Sequence, residues 1–285
     1  MSVVFLNGRF VAEDEAMVPV NDRGFLFADG VYEVTPAYSG RFFLMDRHRA
    51  RLLRGLCALR IDADVAGLGR LHDELLEHNG LRDAEVSYVY LQITRGVAPR
   101  SHAFPREPVP PTVYAFARRF QRPQPAEWNA GYSAVSVPDR RWSRADIKTI
   151  ALLPNVLAQQ AAADAGVADA LLVRDGLALE GAHSNFFAVF GRTIVTHPAS
   201  QQILHGITRG YVIEMARELG YTVDERPIPH EDLAFADEAF FTGTTTEVRP
   251  TVTIDGRPVG TGQVGDVTRA LSSEFQRRTA AHAQS

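Results

Sequence analysis

The chain has 285 residues, 45% of them hydrophobic and 22% charged, with a net charge of −4 and a pI near 6.1. That composition describes a globular protein able to bury a sizeable core, and it argues against nucleic acid or an anionic membrane as a bulk partner. Cys57 is the only cysteine, which excludes an intrachain disulfide, and the first residues lack the basic and apolar blocks of a signal peptide. No apolar run approaches the roughly 20 residues of a membrane span, so the expected location is the cytoplasm.

In chain order, Asn7-Gly8 between apolar runs predicts a hairpin over Val3 to Val11. A second hairpin is expected from Val31 to Leu44 around Ser39-Gly40. Asp46 reads as the N-cap of a helix to Arg60, with Leu52, Leu53, Leu56 and Leu59 on one face. Leu71 to His78 reads as a second helix, stopped by Asn79-Gly80. Val86 to Thr94 and Val113 to Ala117 are strand-like, and the Pro-rich stretch from Val97 to Pro111 is a loop. Residues 1–119 therefore read as a small N-terminal α/β domain. Residues 120–126, with Pro123 and Pro125, read as a linker, and 127–285 as a larger C-terminal domain. In that second part, a strand is expected over Tyr132 to Val137 and a helix over Leu152 to Ala165. Hairpins turn at Asp175-Gly176 and Asp255-Gly256, a helix spans Thr208 to Leu219, and Asp266 caps the terminal helix. Hairpins mixed with helices in both halves give an α+β class.

Of the 30 Lys and Arg residues, Lys148 is the only lysine. For surface charge the two residues are largely exchangeable, so a single retained ammonium suggests chemistry that a guanidinium cannot do. An amine can lose its proton and condense with a carbonyl. Arg141 and Arg144 could help depress its pKa if they share its surroundings. The alternative is a solvated point charge. A Schiff-base lysine needs a carbonyl partner, either a substrate ketone or pyridoxal phosphate. The cofactor in turn needs an anion site and an acid for its ring nitrogen. Leu204-His-Gly-Ile-Thr208 runs into a helix and could hold an anion through backbone N–H groups, as could Thr242-Gly-Thr-Thr-Thr246 after a strand. Each is also readable as an ordinary cap or turn. Glu180 is a candidate for the ring nitrogen, or a surface carboxylate. Gly260-Thr-Gly-Gln-Val-Gly265 matches a dinucleotide fingerprint, yet too little chain follows to complete a βαβ unit, so it reads as a loop and helix start. There is no Gly-x-Ser-x-Gly elbow, and the nine histidines lack helical metal-ligand spacing.

Seven stretches in order carry a resemblance: Asp22-Arg-Gly-Phe-Leu-Phe-Ala-Asp-Gly-Val-Tyr-Glu33; Arg51; Thr94-Arg-Gly-Val-Ala-Pro-Arg-Ser-His-Ala-Phe-Pro105; Asp146-Ile-Lys148; Glu180-Gly-Ala-His-Ser-Asn185; Gly206-Ile-Thr-Arg209; and Thr244-Thr-Thr-Glu-Val248. Together they resemble the fold-type IV pyridoxal-phosphate enzymes, and among them the D-amino-acid aminotransferases. The resemblance implies a two-domain enzyme with the cofactor at the domain interface. It makes Lys148 the Schiff-base and proton-carrying residue and Glu180 the partner of the pyridinium nitrogen. Arg51, Ile207, Thr208 and Thr244 would hold the phosphate, and Arg141 would lie near the phenolic oxygen. Tyr32, Arg100 and His102 match positions that bind the substrate α-carboxylate. In that family the Arg and His come from the neighbouring subunit, which implies a homodimer. The implied substrates are D-amino acids such as D-alanine, with 2-oxoglutarate or pyruvate as acceptor. Branched-chain L-amino-acid aminotransferases and aminodeoxychorismate lyases share the cofactor motifs and form the alternative. A cofactor-free binding protein or a dinucleotide-dependent one is the alternative outside that class. Ala182-His183 departs from the serine run of D-amino-acid aminotransferases and bears on substrate range.

Overall fold

The computed structural model describes residues 2–284 and divides into two compact units. Unit 1 comprises Met1–Gln121, Ile147–Ala151 and Thr279–Ser285; unit 2 comprises Arg122–Asp146 and Leu152–Arg278. The helix and strand content is α+β, as expected.

Unit 1 is built on strands β1 (Val3–Leu6), β2 (Arg9–Ala12), β3 (Gly30–Tyr38), β4 (Arg41–Phe42), β5 (Val86–Thr94) and β6 (Thr112–Arg119). They form an antiparallel sheet in the order β2-β1-β6-β5-β3-β4. Its helices are α1 (Arg23–Phe27), α2 (Met45–Leu59) and α3 (Leu68–His78). Both expected hairpins are present, with Asn7 and Ser39 at positive φ ahead of their glycines. Leu52 and Leu56 of α2 and Leu75 and Leu76 of α3 pack in one core with Val31, Val89, Leu91 and Ile93 of the sheet. On the opposite face Tyr32 stacks on Tyr90, and Tyr90 on Phe116, with ring centroids 5.5 and 4.9 Å apart. The alternation of β3 therefore sends Tyr32 one way and Val31, Glu33 and Thr35 the other.

Two local expectations change. Asp46 is not the N-cap of α2: the helix begins one residue earlier, at Met45, behind Leu44 in the left-handed region, and Asp46 lies in the first turn. There its carboxylate still favours the positive end of the helix. Of the expected linker, Pro125 and Ala126 open a short helix, α4 (Pro125–Ala130), whose capping box joins Gln124 and Glu127.

Buried His72 on α3 gives a pH-dependent stability. Its Nδ1 lies 2.7 Å from the Leu68 carbonyl oxygen and its ring meets Phe42 edge-on. Burial pushes its pKa down to about 4, against the pull of that carbonyl. The unfolded chain thus binds the proton first, near pH 6.5. Stability from the neutral ring is complete above that value and is lost as pH falls toward 4. Between pH 7 and 5, His72→Phe is expected to lose about 2 kcal/mol less than the parent protein in urea unfolding. Equal losses in the two proteins would remove His72 as the source.

Unit 2 carries β7 (Tyr132–Pro138), α5 (Leu153–Asp164), β8 (Asp169–Arg174), β9 (Leu177–Gly181), β10 (Asn185–Phe190), β11 (Thr193–Thr196), α6 (Ile207–Glu218), β12 (Thr222–Glu225), β13 (Ile228–Pro229), β14 (Glu238–Gly243), β15 (Glu247–Ile254), β16 (Arg257–Pro258) and, up to Arg278, α7 (Asp266–Gln284). Strands β10, β14, β15, β7, β8 and β9 pair in sequence. The ring closes where Asn185 of β10 pairs with Glu180 of β9. The middle of β10 is buried throughout, Asn-Phe-Phe-Ala-Val, and Phe187 stacks on Phe240 of β14 at 4.8 Å. Helix α7 is capped differently from expectation. Asp266 is its first residue, and the amides of Val267 and Thr268 donate to the Glu238 carboxylate at 3.0 and 2.7 Å. A Cβ at Gly265 would lie 2.0 Å from the Glu238 carboxyl carbon, so glycine there leaves room for that cap.

The connection from β7 to β8 makes a detour. Before α5 returns the chain to unit 2, Ile147–Ala151 packs with unit 1, Ile147 in its core and Thr149 bridged to Val31 of β3. Chain order alone puts Lys148 with the C-terminal half; its contacts are with β3.

Candidate active site

In unit 1 Lys148 is held by its backbone. Its carbonyl accepts the Tyr32 N–H at 3.1 Å, and Ile150 donates to Gly30 at 3.2 Å, so the segment runs alongside the start of β3. The side chain is half-buried and its ammonium nitrogen stands 4.2 Å from the centre of the Tyr32 ring. Next along β3, Glu33 is gripped by Arg51 of α2 through Nε at 3.0 Å and Nη2 at 2.6 Å, and the charges of both Arg51 and Lys148 act on the neighbouring His48. The Nδ1 of His48 lies 2.9 Å from the same carboxylate. Burial pushes the Glu33 carboxyl up, but Arg51 and His48 outweigh it and hold the group well below the usual carboxylate range. Burial keeps the His48 imidazole below its ordinary pKa despite Glu33. The cluster is thus a neutral His with one Arg–Glu ion pair. Sequence reasoning gave a role to Arg51, quoted Glu33 only as the end of a motif, and missed His48. The available signals were a carboxylate on the buried face of a strand, and a His one helical turn before the Arg.

Arg100 and His102 lie in the loop between β5 and β6 and are exposed. Both gather on Phe27 of α1, Arg100 at 5.3 Å and His102 at 5.6 Å from the ring centre.

In unit 2 Glu180, the next-to-last residue of β9, is buried. It accepts hydrogen bonds from Asn185 Nδ2 at 2.7 Å, from the Leu204 N–H at 3.0 Å and from Arg141. Arg141 is itself forked onto Asp139. Burial pushes the Glu180 carboxyl up, with Arg141 and the Leu204 amide pulling against it. A carboxylate so placed gains from one more cationic N–H. Asn185 also donates to the Leu204 carbonyl at 2.8 Å, tying the loop before α6 to the same point. Ile207 and Thr208 are the first residues of α6, whose N-cap Gly206 offers no side-chain cap. A Cβ at that glycine would stand 1.9 Å from Asn185 Oδ1, so no larger residue fits there. Thr244 lies in the turn between β14 and β15. That turn is held by Glu247 at positive φ, which accepts Arg122 Nε and Nη2 at 3.0 and 2.8 Å. Asp139 and Arg122 are further residues the sequence did not single out, and Asn185 and Glu247 stood in its motifs without a role.

Arg141 and Arg144 were candidates to lend positive field to Lys148 if they shared its surroundings. Each is instead neutralised by carboxylates, Arg141 by Asp139 and Glu180 and Arg144 by Asp146. His183 is exposed on the β9–β10 turn.

These observations fit pyridoxal phosphate. An anion finds α6 with its first amides uncapped by any side chain. A protonated ring nitrogen finds the buried Glu180. Beside it, Ser184 Oγ and Thr242 Oγ1 are buried without hydrogen-bond partners among the described residues.

Residues 30–254 match the amino-transferase class IV family. A D-alanine aminotransferase of Bacillus licheniformis is 40% identical over 97% of this chain and 96% of its own length. One from Staphylococcus epidermidis is 39% identical over 99% of each. Among solved structures, a branched-chain aminotransferase from Thermoproteus uzoniensis superposes with a TM-score of 0.88 at 29% identity, over 99% of this chain and 95% of that one. A branched-chain amino acid aminotransferase from T.th., solved with pyridoxamine 5'-phosphate, gives 0.86 at 26% identity over the same shares. With a family match over residues 30–254 and relatives about 40% identical over nearly its whole length, the chain belongs to the class IV aminotransferases.

Proposed function

We propose that this protein is a pyridoxal-phosphate-dependent aminotransferase of D-amino acids, with a donor such as D-alanine and 2-oxoglutarate or pyruvate as acceptor. Near-full-length similarity to the D-alanine aminotransferases carries the reading, supported by the Arg100 and His102 loop. The solved branched-chain structures favour the second reading, an L-amino-acid aminotransferase, at lower identity.

When bound, the cofactor supplies an aldehyde that condenses with amines and a ring that acidifies the substrate Cα–H. The chain does the rest. Lys148 Nζ takes the proton from the substrate Cα and delivers it during the exchange, its position set by the backbone bond to Tyr32. Glu180 faces the ring nitrogen, and hydrogen bonds from Arg141 and Asn185 keep its carboxyl aimed, Arg141 also pulling against the burial that raises it. The first amides of α6 at Ile207 and Thr208, the Thr244 turn and Arg51 hold the phosphate. Arg141 would lie near the phenolic oxygen, held in place by its bonds to Asp139 and Glu180. Tyr32, Arg100 and His102 take the substrate carboxylate, which turns the Cα–H of the D-enantiomer toward the lysine.

The enzyme is proposed to be a homodimer in which Arg100 and His102 complete the neighbouring subunit's site. Support comes from the exposed Met17, Val20 and Phe25 of unit 1, which offer apolar surface to a second copy. A cytoplasmic location agrees with the single cysteine. No helix among the described residues is long and apolar enough to cross a membrane.

The test mixes cofactor-loaded protein with D-alanine and, separately, L-leucine, without acceptor. Loss of the visible absorbance band with D-alanine alone is the expected outcome. Loss with L-leucine alone would move the function to the branched-chain reading.

A further inference from the structure

The loop that carries Arg100 and His102 has little packing of its own. Residues 99–104 are exposed or half-exposed in this chain, so its conformation depends on a few contacts at its edge. One of these falls on Ser101, the residue between the two. Its carbonyl accepts the Nη1 N–H of Arg23 at 2.6 Å. Arg23 is 2% exposed, and its Nε donates to Asp29 Oδ2 at 2.8 Å, so one guanidinium bridges a half-buried carboxylate and the loop backbone. Arg95 grips Asp29 from the other side through Nε at 2.7 Å and Nη2 at 3.0 Å. It also donates to the carbonyls of Leu59 and Arg60 at the end of α2, which fixes Asp29 to the body of the unit. Burial pushes the Asp29 carboxyl up, and the hydrogen bonds and charges of Arg95 and Arg23 outweigh it, so the anchor stays ionised. Phe27 completes the arrangement. Arg23 lies 4.8 Å from its ring centre, and Arg100 and His102 crowd the same ring. An Arg–aromatic contact of this kind favours one placement of an otherwise free side chain.

We propose that Arg23 and Phe27 are positioning residues for carboxylate recognition: Arg23 clamps the Ser101 carbonyl to Asp29, and Phe27 sets the directions of Arg100 and His102 on either side of it. The proposal rests on the assignment of Arg100 and His102 to the substrate carboxylate. Arginine is required at position 23 because its planar fork serves two acceptors at once. A lysine could keep the ion pair with Asp29 but not the geometry of both bonds.

The experiment compares Arg23→Lys, Phe27→Leu, Arg100→Ala and the double variant Arg23→Lys/Arg100→Ala, all as cofactor-loaded protein, with D-alanine, pyruvate and a primary amine lacking a carboxylate. Arg23→Lys and Phe27→Leu are expected to raise KM for both carboxylate substrates by roughly tenfold, with kcat within about twofold of the parent. The visible band and the kinetics with the plain amine stay unchanged, which a general structural defect would not allow. The double variant is expected to be no worse than Arg100→Ala alone, because Arg23 acts through Arg100 and its loop. A parental KM in either folded single variant, or a double variant whose effect multiplies those of the singles, overturns the proposal. If Arg100→Ala itself leaves KM unchanged, the carboxylate assignment beneath it fails as well. Phe27→Leu leaves the buried ion pairs intact and keeps the test decisive where Arg23→Lys does not fold.

Discussion

In Lys148→Arg, turnover with D-alanine is expected to fall by at least about 10⁴-fold, and the visible band is expected to vanish, while the protein folds with an unchanged urea midpoint. Folding is preserved because the contacts that seat this segment are backbone bonds and the Ile147 side chain. The Lys148 carbonyl accepts from Tyr32, Thr149 bridges Val31, and Ile147 sits in the core. The side chain itself is half-buried against the Tyr32 ring, which tolerates either cation. Chemistry is lost because a guanidinium does not shed its proton near neutral pH. It can neither condense with an aldehyde nor accept a proton from carbon. Absorbance spectra of the loaded variant, with single-turnover rates, decide the matter. A variant that keeps its band, or turns over within a hundredfold of the parent, removes Lys148 from the mechanism.

Arg100→Ala is expected to raise KM for D-alanine and pyruvate by about 10- to 100-fold, the range spanned by loss of a hydrogen bond to a charged group. A smaller fall is expected in kcat. Arg100 is exposed and lies against the Phe27 ring, so stability is expected to stay within about 0.5 kcal/mol of the parent. The plain amine separates binding from chemistry: with no carboxylate to hold, it is expected to react equally with parent and variant. Unchanged KM for D-alanine would withdraw Arg100 from carboxylate recognition and leave the lysine chemistry standing.

Much of this was readable in the chain because it is local. Asn7-Gly8, Ser39-Gly40 and Asp175-Gly176 turn hairpins because the residues themselves accept positive φ. Lys148 stood out by composition alone, since 29 other basic positions hold arginine. The order of short motifs was enough to indicate the class IV family, because each motif has its own geometry and seven in sequence leave few alternatives. Single caps were less legible. Asp46 and Asp266 have the right residue type, but which group meets a helix's first amides depends on what packs nearby, and Glu238 from a distant strand took that role at α7.

By itself the sequence determined the elements, which follow from neighbours a few residues apart, and it displayed the lone lysine and the motifs that carry the resemblance to the family. The tertiary structure alone decided that Lys148 lies against β3, that Glu33 and His48 share Arg51, and that Arg23 reaches a carbonyl 78 residues away. Those partnerships are chosen by which buried polar groups must find one another once the apolar faces have packed. No local pattern carries that information.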